Sequence, residues 1–268
     1  MANDKYNDIS IDSSINVYII WLSIFFLIML FNSNKGEGSS FDDLTPDGSL
    51  LFKLIFFIII LAFQIHFNLN LYKSFCGNND EYYITAIFYT ILPNLLILGL
   101  TIVLLNAFPP WKSFFSNTFG YFLTAVVGIG GNTNKLLTKL AGRENDVANA
   151  NNNDNKLNVE SDLIQSICKD QSLILNEITP ENFKSFMNKL DSINFIKNKN
   201  YKNNDIVVKL YNSILVKDMI AEYIWMLLSG LLTISVGYNS VYYLKKNCIS
   251  GDTDDVSQRI NKLWQQDK

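Results

Sequence analysis

The sequence predicts an all-α fold: a multi-pass transmembrane helical bundle of about four spans, with a small helical extramembrane segment. Three observations predict it. Hydrophobic residues make up 49% of the 268-residue chain and charged residues only 18%, below the roughly 25% charged content of soluble proteins. The apolar residues gather in four runs of about 17–26 residues, long enough to cross a ~30 Å hydrocarbon core. Charges fall only near the ends of those runs, so buried soluble helices are the weaker reading.

The runs justify the elements in order. Residues 1–14 are a polar tail. It lacks the basic start of a cleavable signal, so the first apolar run is expected to be retained. That run, Ile15–Phe31, is uncharged. The second, Leu50–Leu69, has Lys53 at its mouth, where it is expected to snorkel outward. The third, Tyr83–Phe108, is interrupted by Pro93-Asn94, expected to kink the helix for packing rather than to line a transport path. A short Gly-rich run, Phe119–Gly131, is too short to span comfortably and reads as a re-entrant or interfacial helix. These make a membrane domain over 15–131. An Asn-rich linker follows at 132–160.

Residues 161–218 form the extramembrane segment. Thr179-Pro180-Glu181 reads as an N-cap, a first-turn Pro and an acidic first turn. Phe183, Phe186, Met187 and Leu190 then share one helical face. A second helix begins near Asp205, with Val207, Leu210, Tyr211, Ile214 and Leu215 as its stripe. It is expected to run into the fourth span, 219–244. The tail 245–268 repeats an amphipathic pattern with Val256, Ile260, Leu263 and Trp264, suited to a membrane surface or a partner. Trp and Tyr gather at the run ends, as amphipathic rings do at an interface. Four spans put both termini on one side, with Cys76 and Cys248 facing alike and Cys168 opposite. The long loop carries no N-x-S/T sequon, so it is expected away from a glycosylating lumen.

Chemistry is sparse. The net charge of -3 disfavours nucleic acid as a partner, and the lone His excludes a His-rich metal cage. No metal site and no cofactor are expected. Cys76, Cys168 and Cys248, an odd number at wide spacing, read as free thiols in a reducing setting. Gly128–Gly131 lacks the Lys-Ser/Thr of a phosphate loop, and no hydrolase or zincin motif is present. No catalytic residue is expected, and the chain does not read as an enzyme. His66 reads as an interface residue, and Glu222 as a carboxylate at a helix N-terminus. A relay through the two is the alternative.

Two sets of residues read as contact sites. Ser229, Thr233 and Gly237 form a small-xxx-small stripe for close helix packing, against another helix of this chain or a second copy of it. Pro109-Pro110 ends the third span. Trp111 and Lys112 fix its depth, and Ser116, Asn117 and Thr118 lie where they can dock another protein.

Three segments together carry a resemblance: PPWKSFFSNTFGYF (Pro109–Phe122), LILNEITPENF (Leu173–Phe183) and IAEYIWMLLSGLLTISVGYNSVYY (Ile220–Tyr243). In this order the chain resembles a family of multi-pass membrane proteins of nucleocytoplasmic large DNA viruses, the giant viruses of algae and protists. It departs from that pattern at Pro110 and Phe114, where the family commonly has Gly and Pro. The resemblance implies a structural minor capsid or membrane-associated protein. Its location would be the virion internal membrane, and host endomembrane during assembly. Its partners would be the lipid bilayer and other capsid or membrane proteins of the virion. The reading kept beside it is a small channel or transporter.

Overall fold

The computed structural model describes residues 11–36, 38–45, 50–77, 83–120, 122, 178–192, 196, 201–203 and 205–266, with side chains described as far as 244. The described residues contain helices and no strand. Helix α1 is Ile11–Ser33, α2 is Leu50–Cys76 and α3 is Tyr83–Ala107. A composite helix α4 opens with 3-10 geometry over Pro109–Lys112, makes an α turn at Ser113–Phe115 and widens to π geometry over Ser116–Gly120. Helix α5 is Phe183–Ser192 and α6 is Asp205–Gln266. The short Gly-rich run beyond Phe122, the Asn-rich linker and the side chains of the C-terminal tail lie outside the described residues.

Four helices are long and apolar enough to cross a membrane: α1, α2, α3 and the Asp205–Leu244 part of α6. Only 28% of the most apolar window of α1, α2 and α3 is buried. Ile20, Leu27, Ile58, Ile84, Leu96 and Leu232 point outward. A water-soluble bundle would hide such residues, whereas hydrocarbon is their natural solvent.

The chain divides into two compact units. The first holds residues 1–25, 49–104 and 226–268. Within it, Phe25 stacks on Phe56 at 4.3 Å between ring centres and on Phe52 at 5.1 Å. Tyr18 donates to the Met226 carbonyl at 2.6 Å. Leu71, Tyr72, Ala86, Val241 and Leu244 close a second contact among α2, α3 and α6. Pro93 has no N–H for the Tyr89 carbonyl, and interior prolines commonly break helices. Here the helix instead widens to π geometry over Asn94–Gly99 and continues. The Asn94 amide donates to the Thr90 carbonyl at 2.8 Å. Lys53 is buried, not extended to the surface as its place near the run's start suggested.

The second unit holds residues 26–48 and 105–225. Its core joins Phe41, Leu44, Ile178, Phe183, Met187, Leu190, Tyr201 and Tyr211. The Thr179 cap forms as a reciprocal box. Thr179 Oγ1 accepts from the Asn182 N–H at 3.3 Å, and Asn182 Oδ1 accepts from the Thr179 N–H at 2.8 Å. Asn212 of α6 grips the backbone of Lys35 from both sides. Its Oδ1 accepts from the Lys35 N–H at 3.0 Å, and its Nδ2 donates to the Lys35 carbonyl at 2.8 Å.

The reading of three free thiols is corrected at Cys76, which is disulfide-bonded. Wide spacing along the chain sets no limit on proximity once helices have packed, and a pair within reach can be bridged in an oxidising setting. The side chains of Cys168 and Cys248 lie outside the described residues.

Candidate functional site

The densest chemistry in the second unit surrounds Lys112. Its ammonium lies 2.6 Å from Asp218 Oδ2, 3.5 Å from Glu222 Oε2 and 3.7 Å from Glu181 Oε1. Lys112 is 5% exposed, Asp218 7% and Glu222 4%, so water screens these pairs little. Burial alone would lower the Lys112 pKa. The carboxylates of Asp218, Glu222 and Glu181 outweigh it and hold the ammonium well above its ordinary 10.5.

Each group reaches the cluster for a local reason. The two prolines start α4 in a tight 3-10 turn that places Lys112 on its inner face. Asp218 and Glu222 stand four apart on α6, hence on one face. Glu181 sits in the turn that the Thr179–Asn182 box fixes. The three segments that carried the resemblance thus meet here, through Lys112, Glu181 and Glu222. Asp218, the nearest carboxylate, was not singled out from the sequence. Its signal was the acidic i, i+4 pair at the polar-to-apolar change in α6.

Two expectations change at this cluster. Glu222 is not at a helix N-terminus, because α6 already begins at Asp205; it is a buried partner of Lys112. Lys112, expected to fix the depth of the third span's end with Trp111, is enclosed. Of the other docking candidates, Ser116 is buried, and Asn117 accepts through Oδ1 from Lys217 Nζ at 3.2 Å. Pro110, Trp111 and Thr118 are exposed, and Pro109 is half-buried. The Trp111 carbonyl accepts from Trp225 Nε1 at 3.2 Å. Gly120 permits a close approach to α6: a Cβ there would lie 2.8 Å from Lys217 Cγ and 2.9 Å from the Lys217 carbonyl oxygen.

The small-residue stripe belongs to the first unit. Ser229 and Thr233 are buried, and each hydroxyl donates to its own helix, at 3.2 Å to Met226 and 2.8 Å to Ser229. They therefore pack without an unsatisfied donor. At Gly237 a Cβ would lie 3.3 Å from Asn68 Nδ2. The tightest position is Gly230, which the every-fourth-residue pattern missed: a Cβ there would occupy the place of the Tyr18 ring.

A second polar group lies in the first unit. Asn94 Nδ2 donates to Gln64 Oε1 at 2.7 Å, and Asn68 Nδ2 donates to Thr90 Oγ1 at 2.9 Å. Gln64 Nε2 and Asn94 Oδ1 find no partner among the described protein atoms. His66 is exposed, with Nε2 3.0 Å from the Asn70 amide. Among the described residues, no cluster of His, Cys, Asp and Glu could hold a metal ion.

The chain matches no protein-family model, no curated protein and no solved structure.

Proposed function

We propose that the chain is a structural integral membrane protein of a large DNA virus, anchoring the internal virion membrane to the capsid as a minor capsid or membrane-associated component. One observation carries the reading. The three segments of the resemblance meet at Lys112, whose ammonium is held by Glu181, Asp218 and Glu222. Such an arrangement fixes shape, because it ties α4, α6 and the turn before α5 to one ammonium. Mass spectrometry of purified particles is the test. Copy numbers fixed in proportion to the shell protein are expected, and trace or variable amounts would refute the reading.

A second reading, a small channel or transporter in a viral or cellular membrane, is favoured by the Gln64–Asn94 pair beside the π turn of α3. Flux measurements separate the two. The purified chain in sealed vesicles is expected to leave potassium and proton gradients as tight as in protein-free vesicles. Conduction by the chain alone would favour the channel.

A further inference from the structure

We propose that α4 lies on the lipid surface, with Trp111, Phe114, Phe119 and Phe122 inserted at the boundary between headgroups and acyl chains. The helix is amphipathic in the inverted sense. Its inner face carries Lys112, Phe115, Ser116 and Gly120, all buried. Its outer face carries Trp111, Phe114 and Phe119, 52%, 68% and 52% exposed, and Phe122, just past its end, is 64% exposed. Water would favour the reverse arrangement.

Three further observations choose lipid over a protein partner. Position comes first: Pro109 stands two residues past Ala107, the end of α3, and two residues reach about 7 Å. The outer face therefore starts at the depth where Trp and Phe settle. The exposed Phe108 joins α3 to it without a polar break. The second observation is charge. Lys112 is the one charged residue between 109 and 122, and it is turned inward. A protein-binding patch would carry a polar rim. The third is the outward hydroxyl of Thr118, which donates to the Phe114 carbonyl at 2.8 Å and so needs no partner from outside.

The inference rests on the membrane-spanning reading and not on the virion. The test uses the full chain in phosphatidylcholine vesicles whose acyl chains are brominated near the headgroup end. One chain keeps Trp111 alone, with Trp21, Trp225 and Trp264 changed to Phe. Because Trp225→Phe removes the donor to the Trp111 carbonyl, Trp111→Phe in the otherwise native chain gives the same signal by difference. Trp111 emission is expected to fall at least about two-fold, since interfacial faces sit ~5–10 Å into the boundary. Phe114→Ser with Phe119→Ser is expected to remove most of that quenching while helical content stays unchanged. A chain keeping Trp21 alone, on α1, reports the spans. If Trp21 is quenched and Trp111 is not, lipid docking of α4 is overturned alone. If neither is quenched, the membrane-spanning reading falls with it.

Discussion

Lys112 faces three carboxylates, two of them buried, so its removal would strand negative charge where water cannot reach it. Lys112→Met is expected to cost about 3–5 kcal/mol, as for other buried pairs that lose one member. Changing Lys112, Asp218 and Glu222 together to apolar residues is expected to cost less than Lys112→Met alone, because no charge is then left unpaired. Unfolding in detergent measures both. The Lys112 pKa is raised on folding, which fixes the sign of the pH dependence. Its contribution is fully present below the ordinary 10.5 and is lost as pH climbs from there through the folded value. The stability gap between the native chain and Lys112→Met is therefore expected to stay level from about pH 8 to about pH 10 and to shrink above it. A gap that closes already near neutral pH would contradict the pairing. At the packing stripe, Gly230→Ala is expected to displace Tyr18 and its bond to Met226, costing about 1–3 kcal/mol as overpacking does. Gly237→Ala, with only a side-chain amide to shift, is expected to cost less in the same unfolding assay.

Among the elements, α5 depends on its cap. Thr179→Ala is expected to cost about 0.5–2 kcal/mol, with the loss showing as faster amide exchange in 183–192. Helix α2 ends at the bonded Cys76, so maleimide is expected to spare Cys76 until a reductant is added; labelling without reductant would refute the bond. The helices themselves were readable because apolar length and period are properties of the sequence alone. The α5 stripe of Phe183, Met187 and Leu190 and the unbroken passage of α6 into its apolar half follow the same rule. What was not readable depends on which residues meet. Ser40 and Asp43 cap a short turn, with Asp43 Oδ2 accepting at 3.1 and 2.8 Å from the Ser40 amide and hydroxyl. That turn carries Phe41 and Leu44 into the core. Local sequence shows the cap motif but not the distant core, from Ile178 onward, that receives it. Asn212 reads as one polar residue among many, and only its grip on Lys35 reveals its role. The candidate site was half legible: Lys112 and Glu222 stood out as charges beside apolar runs. Their mutual approach, and the place of Asp218 between them, are tertiary facts.

At the scale of the molecule, the outward faces of the long helices are the decisive feature. Each helix buries one stripe and shows apolar side chains elsewhere. On α6 the buried positions from Met226 onward recur as Ser229–Gly230, Thr233–Ile234, Gly237, Val241 and Leu244, the three-to-four spacing of a single packed face. Leu228, Leu232 and Val236 between them are exposed. From Val207 to Glu222, by contrast, nearly every position is buried or half-buried, as in a helix enclosed by protein. Such a change along one helix is what a part enclosed by protein and a part suited to lipid would show. The most direct measurement is site-resolved labelling of the full chain in vesicles by a carbene precursor dissolved in the acyl chains. Label is expected on Ile20, Leu27, Ile58, Phe88, Leu95 and Leu232, and not on Leu22, Ile60, Ala86 or Thr233. Labelling that ignores this division, or a chain that stays unlabelled and washes from the vesicles at alkaline pH, would contradict the membrane-spanning bundle.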